Sequence, residues 1–146
     1  MLALDVGRKR IGLAVSDELG ITAQGLDTLA RTRIREDLDR LKQIAEQWNA
    51  GLLLVGKPLH MSGEESAQSA YTREFAERLR VHLALPVVYW DERLTSVEAG
   101  RVLREAGATL EQRKKAIDRM SAVLLLESYL AHISALAASM PGGGIG

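Results

Sequence analysis

At 146 residues and 47% hydrophobic content, the chain has enough apolar material for one compact domain that folds alone. Lysine plus arginine and aspartate plus glutamate each number 19, so the net charge is zero and any polyanion contact must come from a local patch rather than an overall field. The absence of cysteine excludes disulfides, thiolate metal sites and a cysteine nucleophile. With no signal-like N-terminal segment and no apolar run read as long enough to span a bilayer, a soluble cytoplasmic protein with no membrane partner is expected.

The first strand is predicted at Leu2–Val6, the second at Ile11–Ser16, and a third runs roughly from Ile21 to Leu29 after a turn marked by Gly20, forming an antiparallel meander. Ile34, Leu38, Leu41, Ala45 and Trp48 recur at helical spacing behind Thr32, the expected N-cap, and Gly51 is expected to stop that helix. The continuous apolar run Leu52–Val55 reads as a central strand covered on both faces. A loop over 56–63 leads to a second helix, from about Ser66 to Leu83, with Tyr71, Phe75 and Leu79 inward. The strand Val87–Trp90 runs into Asp91 and Glu92, and Thr95 with Glu98 reads as a capping box for a helix ending near Gly107. Residues 108–115 read as mobile, and a largely buried helix is expected from about Ala116 to Ala138. Together these predict a mixed five-stranded α/β sheet, three antiparallel strands then parallel ones, with helices on both faces, in one domain over 1–138 with a flexible tail at 139–146.

Function is suggested by acids in unusual places. Asp5 interrupts a strand that otherwise reads as buried, where an ionised carboxylate is costly unless a cation or hydrogen bonds compensate it. Glu92 follows another strand, and Asp118 heads a helix whose next turn carries Ser121, Ala122, Leu125 and Leu126. Each has a bland explanation alone, as a turn acceptor, a solvated strand end or a helix N-terminal acid. Brought together, three carboxylates from different elements suit magnesium or manganese. Two such ions about 3.5–4 Å apart support phosphodiester hydrolysis without a nucleophilic side chain. Gly7, which would allow close approach, and Arg8, Lys9, Arg10, Lys57, Arg93, Lys114 and Lys115 form a candidate substrate rim, although surface cations are common near any acid. His60, His82 and His132 are too scattered to form a metal site, and Trp48 and Trp90 read as core.

The segments Leu4–Asp17, Val55-Gly-Lys-Pro-Leu59, Asp91-Glu-Arg-Leu-Thr95 and Lys114-Lys-Ala-Ile-Asp118, with Tyr129-Leu130 closing the helix, resemble the YqgF family. These are Holliday-junction-resolvase-like proteins, also described as pre-16S ribosomal RNA nucleases, with a ribonuclease-H-like fold. The resemblance runs from Leu2 to about His132 and implies metal-dependent phosphodiester cleavage in 5′-end maturation of 16S ribosomal RNA. It further implies Asp5, Glu92 and Asp118 as catalytic, metal-binding acids, and precursor ribosomal RNA, branched DNA or a ribosomal particle as partner of a monomer or weak homodimer. The chain departs from the family at Lys57, where leucine is common, and around Ser62–Ser66. Junction resolvases of this fold place an acid where Gly56 and Lys57 stand, so Glu92 is read as its replacement and Asp91 as the alternative ligand.

Two other readings differ in class. Asp5-Val-Gly7 before a hairpin also resembles the first phosphate loop of sugar kinases and actin-like ATPases, which need a second similar domain that 146 residues do not accommodate. A noncatalytic RNA- or ribosome-binding factor is disfavoured by the presence of all three acids.

Overall fold

In β1 (Leu2–Val6) a period of two divides the side chains between two cores: Leu2, Leu4 and Val6 enter one, and Ala3 enters the other, with Asp5 on Ala3's side. The computed structural model describes residues 1–57, 66–91, 107 and 109–139, with backbone alone at 111, 113–119 and 139. Antiparallel β2 (Arg10–Ser16) and β3 (Ala23–Ala30) follow β1, and β4 (Leu53–Gly56) and β5 (Val87–Trp90) add in parallel, giving the order β3-β2-β1-β4-β5. This is the expected mixed sheet, with β4 inside it. Helices α1 (Ile34–Gln47) and α2 (Ala67–Leu83) cover one face through Leu38, Leu41, Phe75 and Leu79. Helix α3 (Leu110–Ser139) covers the other through Ala122, Leu125, Leu126 and Leu130.

Two turns need glycine. Gly20 closes the β2–β3 turn at φ +68°, in the left-handed region, with Asp17 Oδ1 accepting from the Ile21 and Thr22 amides at 2.7 and 3.2 Å. In the β1–β2 turn, the Gly7 amide donates to the Arg10 carbonyl at 2.9 Å, and a Cβ on Gly7 would lie 2.6 Å from that same oxygen. The turn itself thus accounts for Gly7. Replacing Gly7 by Ala forces backbone movement at the end of β1 and is expected to cost roughly 1–3 kcal/mol, read as a lower thermal midpoint. An unchanged midpoint would mean that the turn relaxes freely.

Several boundaries differ from those expected. The N-cap of α1 is Arg33, without a side-chain cap bond, because Thr32 is engaged with Asp37 instead. Its end is set by Asn49 at φ 54°, not by Gly51, since asparagine tolerates the left-handed position after a helix. Trp48, at that C-cap, is 41% exposed rather than core. Helix α3 begins at Leu110, six residues before the expected start, because Thr109 and Gln112 form a reciprocal capping box: Gln112 N donates to Thr109 Oγ1 at 3.1 Å and Thr109 N to Gln112 Oε1 at 3.0 Å.

Nor is α3 largely buried. A single stripe meets the sheet, and residues 131, 132 and 134–138 run on exposed, as does Met120. The segment Met120–Ala138 is long and apolar enough by composition to cross a membrane, contrary to the sequence expectation, while its inner stripe packs on β1, β2 and β4. The helix expected between Thr95 and Gly107 and most of the tail lie outside the described residues.

Candidate active site

Asp5 points to the α3 face near the carboxyl end of β1, half-buried. Its pair on β2 is Gly12, and one step beyond the Leu4–Val55 pair the residue alongside it on β4 is Gly56. By the period-two alternation both glycines fall on Asp5's face, so neither neighbouring strand places a side chain beside the carboxylate. The β2–β3 register shifts between Ile11 and Leu13, a bulge centred on Gly12.

Above this cleared floor comes α3. The Ser121 hydroxyl donates to Asp5 Oδ2 at 2.5 Å, a charge-assisted bond linking positions 116 residues apart. Asp118 lies three residues before Ser121, one helical turn toward the N-terminus of α3. Its side chain and those of Lys114 and Lys115, in the preceding turn, lie outside the described residues, as do Glu92 and Arg93 entirely. Among the described residues no three acids or histidines cluster as a metal site. What is described fits a hard cation: a half-buried carboxylate, with glycine on both adjacent strands leaving space for an ion and its waters. Ser121→Ala is expected to destabilise the fold by about 1.5 kcal/mol in urea denaturation, as for a hydrogen bond to a charged group. A midpoint equal to that of the wild type would show that the bond contributes nothing.

The basic turn is held by a residue that sequence reading missed. Arg31, just past β3, donates from Nε to Asp37 Oδ2 at 2.8 Å and from Nη1 to the Gly7 carbonyl at 3.1 Å and the Tyr71 hydroxyl at 2.7 Å. Its guanidinium also lies 4.6 Å from the Phe75 ring centroid. Asp37 is fully buried, and its other oxygen accepts from the Thr32 amide and hydroxyl, both at 3.0 Å. Burial acts to raise the Asp37 pKa, but the Arg31 and Thr32 hydrogen bonds and the Arg31 charge hold it below the ordinary carboxylate value. Arg8 stacks over the other side of this hub, 4.5 Å from the Tyr71 centroid, and Arg8, Lys9 and Arg10 are all exposed.

One contact of Lys57 is with an aromatic ring. The residue follows β4 on the α2 side, its Nζ 4.8 Å from the ring centroid of Tyr89. Tyr89 donates to Glu77 Oε1 at 3.3 Å, and its pKa is pushed up to about 12, first by burial and then by the Glu77 charge. Asp91, half-buried after β5, is two strands from β1, roughly 10 Å across the sheet by interstrand spacing. Trp90 faces α3, half-buried, with Nε1 donating to Ser128 Oγ at 3.1 Å and its ring 5.2 Å from Tyr129 and 4.8 Å from His132. His82 instead meets Asp39 at 2.8 Å, on the far side of the sheet.

Comparison with known proteins agrees with this architecture. A Koribacter versatilis protein named "Putative pre-16S rRNA nuclease" is 54% identical over 130 residues, covering 89% of this chain and 85% of its own length. A protein of the same name from Clostridium novyi is 44% identical over 130 residues, with 89% and 96% covered. Among solved structures, Thermus thermophilus RuvC in complex with a Holliday junction substrate shares the fold at a TM-score of 0.54 and 15% identity, covering 91% of this chain and 96% of that one. The yeast mitochondrial Holliday junction resolvase does so at 0.54 and 12%, covering 94% and 80%. The fold is thus the ribonuclease-H-like one that the YqgF resemblance implies. Residues 1–132 match the family described as RuvX, Holliday junction resolvase, and the chain belongs to that family.

Proposed function

We propose that the protein is a nuclease that hydrolyses phosphodiester bonds in a divalent-metal-dependent reaction, acting in the cytoplasm in 5′-end maturation of precursor 16S ribosomal RNA. The observation that carries this reading is Asp5, fixed by Ser121 on a glycine-cleared floor one helical turn from Asp118. Relatives named as pre-16S rRNA nucleases, sharing up to 54% identity, support the substrate. Asp5, Glu92 and Asp118 would hold Mg²⁺ or Mn²⁺, with Asp91 the alternative to Glu92. Such ions supply Lewis-acid stabilisation of the phosphate and activation of water, in a two-ion arrangement.

The protein's own groups do the positioning. Ser121 restricts the Asp5 carboxylate to one orientation, and the Arg31 hub fixes the turn whose Arg8, Lys9 and Arg10 receive the phosphates flanking the scissile bond. Arg93, Lys114 and Lys115 are the further cations proposed to bind the substrate. Lys57 sits on the opposite side of the sheet end and takes no part at Asp5 in this reading.

The test offers purified protein with Mg²⁺ or Mn²⁺ a 5′-extended 16S precursor fragment and, separately, a four-way DNA junction. Metal-dependent cutting of the precursor supports the proposal. Cutting of the junction alone makes the chain a DNA resolvase, and binding of RNA without cleavage by any metal makes it a processing factor that does not cut.

A further inference from the structure

A run of exposed cations extends beyond the candidate site. Arg10 pairs with Ala30 across the β2–β3 ladder, and the Arg31 amide donates to the Lys9 carbonyl at 2.9 Å, so the β1–β2 turn and the start of α1 are neighbours. Exposed Arg8, Lys9 and Arg10 therefore continue, within two to four residues, into exposed Arg33 and Arg35. Opposing acids are few there. Asp37 is buried and neutralised by Arg31, and of the exposed acids Glu36 and Asp39, Asp39 is engaged with His82. In a chain of zero net charge this is a local positive surface.

Arg33 and Arg35 are also placed against helix stability. Arg33 occupies the N-cap without making a cap bond, where serine, threonine or aspartate is favoured. Arg35 adds a second cation to the positive end of the helix dipole. Among the described residues no hydrogen bond or ion pair is made by either side chain, whereas Arg31, two residues earlier, is fully engaged in fastening α1 to the turn.

We propose that Arg8, Lys9, Arg10, Arg33 and Arg35 form one phosphate track, which runs from the phosphates flanking the scissile bond at the turn to a double-helical segment of the RNA substrate held at Arg33 and Arg35. The preference for duplex follows from what the track lacks. Residues 7–10 and 31–37 contain no aromatic side chain, and Tyr71 lies half-buried beneath Arg8, so the surface offers phosphate contacts without a stacking platform for unpaired bases. The inference rests on the nucleic-acid reading above, and it extends that site from the turn to α1.

The test uses the full chain carrying Asp5→Asn, so that cleavage does not interfere, and measures binding to a duplex RNA and to a single strand of the same length across a salt series. Arg33→Ser with Arg35→Ala removes both cations and supplies the missing cap, so a raised melting temperature would accompany any lost binding and misfolding would not explain it. Arg78→Ala with Arg80→Ala, on exposed positions of α2, removes the same charge elsewhere. The track predicts that the α1 variant binds duplex about tenfold more weakly, with a salt slope shallower by about 1 to 2, while the α2 variant stays near wild type. Equal losses in both variants, tighter binding to the single strand, or duplex binding unchanged in the α1 variant would each overturn it. Absence of RNA binding by the parent protein would overturn the nucleic-acid reading together with the track.

Discussion

Asp5→Asn is expected to reduce single-turnover cleavage of a 5′-extended 16S precursor by about a thousandfold while leaving the fold intact. The amide has the shape of the carboxylate, and its oxygen still accepts the Ser121 hydroxyl, so the contact between β1 and α3 survives. What is lost is one negative charge toward the proposed cation. Metal assistance to phosphoryl-oxygen charge is worth several kcal/mol, and each 1.36 kcal/mol is about tenfold in rate. The same variant is expected to show weaker Mn²⁺ binding in calorimetry, a readout independent of turnover. Cleavage within about threefold of wild type, with normal Mn²⁺ binding, would remove Asp5 from the chemistry and leave it as a structural partner of Ser121.

Asp37→Ala is expected to be the most destabilising single change at the hub, costing roughly 3–5 kcal/mol, because it leaves a largely buried guanidinium without its counter-ion. Arg31 is 11% exposed and Asp37 not at all. That loss is a large part of the 5–15 kcal/mol by which ordinary domains are stable. It should appear as a lower urea midpoint at unchanged slope. A loss below about 1 kcal/mol would show that water replaces Asp37 at little cost.

The wild type should show the corresponding pH dependence. The folded Asp37 pKa is depressed, so its contribution is fully present above the unfolded value of about 3.9 and is lost as pH falls through the lower folded value. Stability attributable to the hub should therefore hold from neutral pH to about pH 5 and fall below about pH 4. In Asp37→Ala that part of the acid dependence should be absent.

Much of the sheet was legible because its signals are local. Leu2–Val6 and Val87–Trp90 were read at their observed bounds, since short apolar runs ended by Gly, Pro or charge leave little choice of boundary. Helix ends were read less well. Asn49 and the Thr109–Gln112 box act through backbone conformation and side-chain reciprocity, which compete with more conspicuous signals such as Gly51 and the basic run 113–115. The exposed end of α3 was misjudged for a different reason: its apolar composition does not reveal where the sheet beneath it stops.

At the site, Asp5 stood out as a charge in a buried pattern, and the Ser121 face of α3 followed from helical spacing. The glycine floor did not, because Gly12 and Gly56 become neighbours of Asp5 only through strand register. Arg31 escaped notice because one arginine among 19 basic residues carries no mark of burial in sequence. Lys57 was read from its position after the central strand, and its Nζ contact with Tyr89 was not legible there because it forms only through the β4–β5 pairing.

If Asp5 and Asp118 belong to one centre that cuts RNA, their losses are coupled. Single-turnover cleavage of the 5′-extended precursor at saturating Mn²⁺, measured for Asp5→Asn, Asp118→Asn and the double variant, tests it most directly. Groups acting as a unit give non-additive losses, so all three variants are expected to fall to the same background rate. Wild-type cleavage by Asp118→Asn, or losses that multiply in the double variant, would contradict it.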